Sequence, residues 1–318
     1  MHITDRLYEK KWGVFFHFLQ YLQNTPGNPH NQNTGVLPWN DCVNALDVRR
    51  LAESLHRCGA GYCFFTVMQG DPCLIAPNTT FDRIAGTKPG EACAERDLVL
   101  DLFDALSPYG IDLYLYFTGD GPYKEKEIGS KFGFTEPRSV GVTLSFVEKW
   151  AAVLEEYAIR YGSKVCGWWI DGCYRDPFHY TDELMDLYNN ACKKGNPNAL
   201  VAMNNGVFTD FRKYYRNEDF VCGEFNDFTA VPPGRFIDGA QAFLLAPLGK
   251  IQPDAEEYGA WGRYGCKRSG PYLRDYISRV HEAGGVVTID IALNRDGSLD
   301  PEQMKTLMEI NSDSVSES

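Results

Sequence analysis

Eight short apolar runs, with helix-like segments between them, constrain this chain more than any other feature. The runs are GVFFHFL (13–19), GYCFFTVM (61–68), IDLYLYF (111–117), VCGWWID (165–171), ALVAMNN (199–205), DFVCGEF (219–225), AFLLAP (242–247) and GVVTIDIAL (285–293). Nearly continuous apolar strands are buried on both faces, and strands that alternate with helices pair in parallel. Eight such units in 318 residues predict an α/β fold, a closed (β/α)8 TIM-type barrel in a single domain over residues 1–311. The serine-rich end, 312–318, is expected to be a flexible tail. No Gly-x-Gly-x-x-Gly follows the first run, which weighs against an open dinucleotide-binding sheet.

Helix signals fall between the runs. Asp47 can cap a helix carrying Val48, Leu51 and Leu55, ended by Gly59. The stretch Asp97 to Leu106 repeats the pattern. Phe146, Trp150, Val153 and Tyr157 mark a longer helix closing at Gly162. Thr181 opens one through Leu184 and Tyr188, Pro271 stands in the first turn of another, and Asp300-Pro301 begin the last. The stretches 21–39, 69–95 and 118–142 read as long loops after the first three strands, and long loops on one side of a barrel usually carry function.

Composition narrows the function. With 43 acidic against 31 basic residues the net charge is −12, so the surface repels nucleic acid and anionic lipid alike. No apolar run is long enough to span a bilayer, and MHITDRLYEKKWG lacks a signal-peptide core; a cytoplasmic location is expected. Of the ten cysteines, several lie in strand-like runs where cysteine acts as a small hydrophobe, so most are expected to be reduced. No C-x-x-C pair occurs, so the usual zinc spacings are missing. Neither a metal nor a cofactor is expected.

Working residues of such barrels sit at the carboxyl ends of strands. Those ends hold His17, Gln69 and Asp71, Tyr116, Asp171, Asn204 and Asn205, Glu224, and Asn294. Asp171 and Glu224, two strands apart, form the candidate catalytic pair, since glycoside cleavage needs one carboxyl to attack or activate water and another to protonate the departing oxygen. The rest are candidate substrate contacts. Trp39, Tyr116 and one of Trp168 and Trp169 can supply an aromatic floor for a sugar. Neighbours on a strand point to opposite faces, so only one of that pair can line the site, and Trp169 is the candidate.

These ordered segments resemble the α-L-fucosidase family of glycoside hydrolases, family 29. KWGVFFHFLQY resembles the family's opening aromatic strand ending in His. LAESLHRCGAGYCFFTVMQGD resembles its second helix and strand, and ERDLVLDLFDALSPYGIDLYLYF its third, with Tyr116 at the conserved tyrosine. YGSKVCGWWIDG resembles the nucleophile strand, DFVCGEF falls where the acid/base strand is expected, and IDIALNRDGSL resembles the closing strand and loop. The resemblance implies a retaining α-L-glycosidase with Asp171 as nucleophile and Glu224 as acid/base, acting on an oligosaccharide or glycoside. Glu218 and Asp227 are the next candidates for the acid. Met68-Gln69-Gly70 stand where the family has Lys-His-His, so weak action on plain fucosides is expected, with Gly70 leaving room for a bulkier sugar. Two other functions remain open: a glycan-binding barrel without activity, and a metal-dependent hydrolase using His17, Asp171 and Glu224. Self-association into a homo-oligomer is also open.

Overall fold

The computed structural model describes residues 2–134, 141–250 and 260–311; the expected tail, 312–318, and part of the expected third loop lie outside these. Nine strands are present among the described residues: β1 Trp12–Phe16, β2 Tyr62–Thr66, β3 Asp112–Thr118, β4 Gly167–Asp171, β5 Leu200–Met203, β6 Phe236–Ile237, β7 Ala240–Gln241, β8 Phe243–Pro247 and β9 Val286–Ile291. Seven of them form one parallel sheet in the order β5-β4-β3-β2-β1-β9-β8, while β6 and β7 pair as a small antiparallel hairpin.

The strand alternation splits the core in two. Phe15, Phe64, Tyr114, Tyr116, Trp169 and Phe243 pack together on one side of the sheet. Their neighbours Phe16, Phe65, Leu115, Trp168 and Leu244 pack with the helices. The tryptophan pair therefore divides as strand geometry requires. Phe64 stacks on Tyr114 at 4.8 Å and meets Phe243 edge-on at 5.6 Å, so large rings fill the inner layer. Gly13 makes room for them: a Cβ there would lie 2.4 Å from the Tyr62 ring and carbonyl.

The sixth expected strand is not a strand. Residues 219–225 make only isolated bridges, Phe220 with Gln241 and Glu224 with Leu245. The physical reason is Gly223, whose φ of +55° is left-handed and whose Cβ would sit 1.8 Å from the Phe243 carbonyl oxygen; an extended strand cannot pass through that conformation. The segment still bonds on both sides. Asp219 N–H donates to Val201 O at 2.8 Å, and Val201 N–H donates to the Asp219 carboxylate at 2.9 Å. On the other side Phe225 N–H reaches Leu245 O at 2.8 Å.

The six expected helices form, over Val48–Cys58, Leu98–Leu106, Leu144–Tyr161, Asp182–Lys193, Gly270–Glu282 and Pro301–Asn311. Asp47 caps the first through the N–H groups of Arg49 and Arg50, and Gly59 ends it in the left-handed conformation. Short helices that periodicity cannot reveal lie in the expected loops, over Gln20–Asn24, Thr79–Ala85 and Lys126–Phe132, and directly after the first of them, over Trp39–Ala45. Trp39, at the start of one of them, is tied to neighbouring loops and does not line the cavity described below. Its Nε1 donates to Leu74 O at 2.9 Å and its ring packs on Phe18 at 5.6 Å, pinning the loop after β1 to the loop after β2. All ten cysteines are free thiols, and no described helix is long and apolar enough to cross a membrane.

Candidate active site

A cavity of about 130 Å³ opens at the carboxyl ends of the sheet strands. Phe15, His17, Gln69, Tyr116, Trp169, Asp171 and Glu224 line it, together with Tyr21, Leu245 and Trp261. Tyr116 and Trp169 stack at 5.5 Å with 23° between their planes and form an aromatic wall.

Asp171 ends β4 and is surrounded by donors. Its Oδ2 accepts the Tyr116 hydroxyl at 2.6 Å and lies 3.5 Å from the Gln69 amide nitrogen. Its Oδ1 accepts the Gly172 N–H at 2.8 Å and the Asn204 amide at 2.7 Å. Burial first, and the Asp171 charge second, hold the Tyr116 phenol far above its ordinary pKa, so that hydroxyl stays a donor.

Glu224 faces Asp171 across the Asn204 amide. The nitrogen that reaches Asp171 also donates to Glu224 Oε2 at 2.5 Å, so the two carboxyl oxygens lie no further apart than these two contacts laid end to end. That bound is well short of the ~6.5–9.5 Å that inverting pairs keep for a water, and it sides with carboxyl pairs that work by double displacement. Withdrawal from water raises the Glu224 pKa well above the ordinary carboxyl range, the Asp171 charge raises it further, and the Asn204 amide opposes both. One carboxyl ringed by donors beside one that keeps its proton is the division of labour a nucleophile and an acid require.

His17 is held from behind. Its Nδ1 bonds the fully buried Asp290 at 2.6 Å, and the other Asp290 oxygen accepts the Gly262 N–H at 2.6 Å. The carboxylate makes Nδ1 the donor nitrogen and leaves Nε2 for the cavity.

Four expected contacts fall outside the cavity lining, besides Trp39. Asp71 pairs with Lys124 at 3.1 Å. Asn205 is half-buried beside Asn204 without lining the cavity. Asn294 closes the turn to Ser298, its amide donating to the Ser298 hydroxyl at 2.9 Å. Asn204 sits between the carboxyls, with its donors spent on them rather than free for a sugar. The space expected at Gly70 is filled: a Cβ there would lie 2.9 Å from the Tyr123 ring and 3.0 Å from Lys124 Cε. Met68 is buried among the helices' core residues. Sequence reasoning missed Tyr21, Trp261 and Asp290. Asp290 had a signal, a lone acid in the apolar run VVTIDIAL; Tyr21 comes from the short helix Gln20–Asn24 and Trp261 from an irregular segment, with none.

The other acid candidates do not line the cavity. Asp227 is held by Arg268, whose Nε lies 3.0 Å from it. Glu218 is buried, with Oε1 accepting the Tyr214 N–H at 2.7 Å and Oε2 without a partner. Burial pushes its pKa up to about 8 although the N–H groups of Tyr214, Tyr215 and Met203 pull the other way. A carboxyl whose pKa is raised on folding contributes stability that is full below its unfolded pKa and lost as pH rises through the folded value. Glu218→Gln is therefore expected to be more stable than the parent at pH 9 than at pH 5, by at least about 1 kcal/mol in the difference. Denaturant unfolding at the two pH values checks this; parallel pH dependences would contradict it. Among the described residues no three of His, Cys, Asp and Glu converge as a metal site would need.

No protein-family model and no curated protein matches this chain in sequence. Its structure is similar to several solved ones. A family 29 α-L-fucosidase from Bacteroides thetaiotaomicron, trapped as a covalent intermediate, matches at 16% identity over 97% of this chain and 73% of that one, with a TM-score of 0.63. An endo-fucoidan hydrolase of glycoside hydrolase family 107 matches at 14% identity over 97% of this chain and 53% of that one, with a TM-score of 0.68. An α-L-fucosidase in a fucosyltransferase mutant form matches at 15% identity over 97% and 96% of the two chains, with a TM-score of 0.65. At these identities the likeness is one of fold, shared by fucosidases and fucoidan hydrolases.

Proposed function

We propose that this protein is a retaining glycoside hydrolase acting on an α-L-fucoside or a related α-L-glycoside, with Asp171 as nucleophile and Glu224 as acid/base. The observation that carries the reading is the single Asn204 amide touching both carboxyls, at the mouth of an aromatic-walled cavity. The fold shared with fucosidases and fucoidan hydrolases supports the sugar class. We further infer that residues 1–311 form one barrel, closed through 219–225, whose hydrogen bonds run to β5 on one side and β8 on the other.

In the first half-reaction Asp171 bonds the anomeric carbon as the glycosidic bond breaks, its electron pair going to the leaving oxygen, which takes the Glu224 proton. In the second, water attacks the same carbon, Glu224 takes its proton, and Asp171 is released. His17 Nε2 and Gln69 are placed to meet sugar hydroxyls, while Trp169 and Trp261 give the apolar face a partner.

Gln69 is neutral and Met68 and Gly70 give the cavity no charged donor, so fucose hydroxyls find fewer charge-assisted bonds here. Screening aryl α-L-fucoside, α-L-galactoside and other aryl glycosides tests the reading. Hydrolysis of an α-L-glycoside is expected, with kcat/KM for the plain fucoside below about 10⁴ M⁻¹s⁻¹. Sugar binding without hydrolysis of any of them would contradict it.

A further inference from the structure

Asn204, just past the end of β5, has no donor to spare for a ligand. A side-chain amide carries two N–H bonds, and here one goes to Asp171 Oδ1 at 2.7 Å and the other to Glu224 Oε2 at 2.5 Å. The amide oxygen accepts the Gly206 N–H at 3.0 Å. That third bond decides the orientation, because a flipped amide would aim its oxygen at two carboxyl oxygens and its nitrogen at an N–H. The side chain is fully buried, so it has one geometry.

Resting on the retaining mechanism above, we propose that Asn204 is a positioning residue that places the catalytic proton. By occupying Oε2 of Glu224 it leaves the acid proton on Oε1, and by spanning both carboxyls it serves whichever of them carries the negative charge. Before the first step the charge is on Asp171 and the proton on Glu224. When Asp171 bonds the anomeric carbon and Glu224 gives its proton to the leaving oxygen, Asp171 becomes a neutral ester and Glu224 the anion. When water then gives one proton to Glu224 and its oxygen to the sugar, the C–O bond to Asp171 breaks and the charge returns. The pair holds one charge in each state, and one Asn204 N–H faces it. A buried, pre-oriented amide does this without the reorganisation that water would need. The same donor opposes the rise of the Glu224 pKa, which gives the role a signature beyond lost activity.

The pH profile of kcat/KM on the cleaved aryl glycoside tests this, since it reports ionisation of the free enzyme. Asn204→Ala is expected to lower kcat/KM by about 10- to 100-fold, the scale of one hydrogen bond to a charged group. It is also expected to move the alkaline limb to higher pH, because the Glu224 anion has lost its donor. Asn204→Leu, close in size but neutral and without a donor, is expected to move the limb the same way, and it carries the test if the alanine variant does not fold. A limb that stays in place in the folded variants, whatever their rate, overturns the proposal. Asp171→Asn and Glu224→Ala are measured alongside. If Asp171→Asn remains active, or Glu224→Ala keeps its rate on a glycoside with a poor leaving group, the double-displacement reading itself fails; if both rates are lost while the Asn204 variants keep the parental limb, the positioning role alone fails.

Discussion

Asp171→Asn is expected to lower kcat by about three orders of magnitude or more on the best aryl glycoside, equivalent to about 4 kcal/mol of barrier. An amide in that position cannot form the covalent glycosyl intermediate. The loss should be one of rate and not of folding. The asparagine oxygen can keep the Gly172 N–H and the Asn204 amide, which both serve Oδ1. On the other side, the Tyr116 hydroxyl can turn to accept, and the Gln69 amide can rotate to present its oxygen, so no buried polar group is stranded. Unfolding stability within about 1 kcal/mol of the parent is therefore expected alongside the lost rate. Near-parental turnover would remove Asp171 from the chemistry.

Glu224→Ala is expected to separate substrates by their leaving groups. A glycoside with a poor leaving group needs the proton that Glu224 holds, and it should lose roughly 10²- to 10⁴-fold. A dinitrophenyl glycoside, whose departing oxygen needs no proton, should lose far less in its first step. The parental alkaline limb, expected well above the ordinary carboxyl range because burial and then the Asp171 charge raise the Glu224 pKa, should disappear. Azide, small enough for the vacated space, should restore part of the rate and yield a glycosyl azide of retained configuration. Equal losses on both substrates, with no response to azide, would place the acid elsewhere.

Much of this was legible in the sequence because strands buried on both faces declare themselves by composition alone. Seven of the eight apolar runs contain strands of the sheet, and the caps at Asp47 and Thr181 are where the residue types imply. The sixth, DFVCGEF, misleads because apolar content does not report backbone conformation, and Gly223 turns out of the extended region. At the site, Asp171, Glu224, His17, Gln69, Tyr116 and Trp169 could be found from strand ends, since that position alone aims a side chain into the mouth. Residues held by tertiary contact could not. The Trp39 indole bonds Leu74 O and the Asn294 amide closes a turn, contacts that no local pattern announces. Trp261 and Tyr21 reach the cavity from segments with no periodicity, and the Asp290 carboxylate behind His17 declares its purpose only through its partner. Asn204 is legible as a strand-end residue, but its bonds to Asp171 and Glu224 are not, because what an amide donates to depends on two carboxyls brought together from different parts of the chain.

The central claim is a covalent bond between Asp171 and the sugar. Incubating the protein with the 2-fluoro glycosyl fluoride matching its best aryl glycoside, then digesting it and sequencing the labelled peptide by mass spectrometry, reads that bond directly. A single fluoroglycosyl adduct on Asp171, lost in Asp171→Asn, is the predicted result. An adduct on another residue, or full inactivation with no adduct at all, would contradict it.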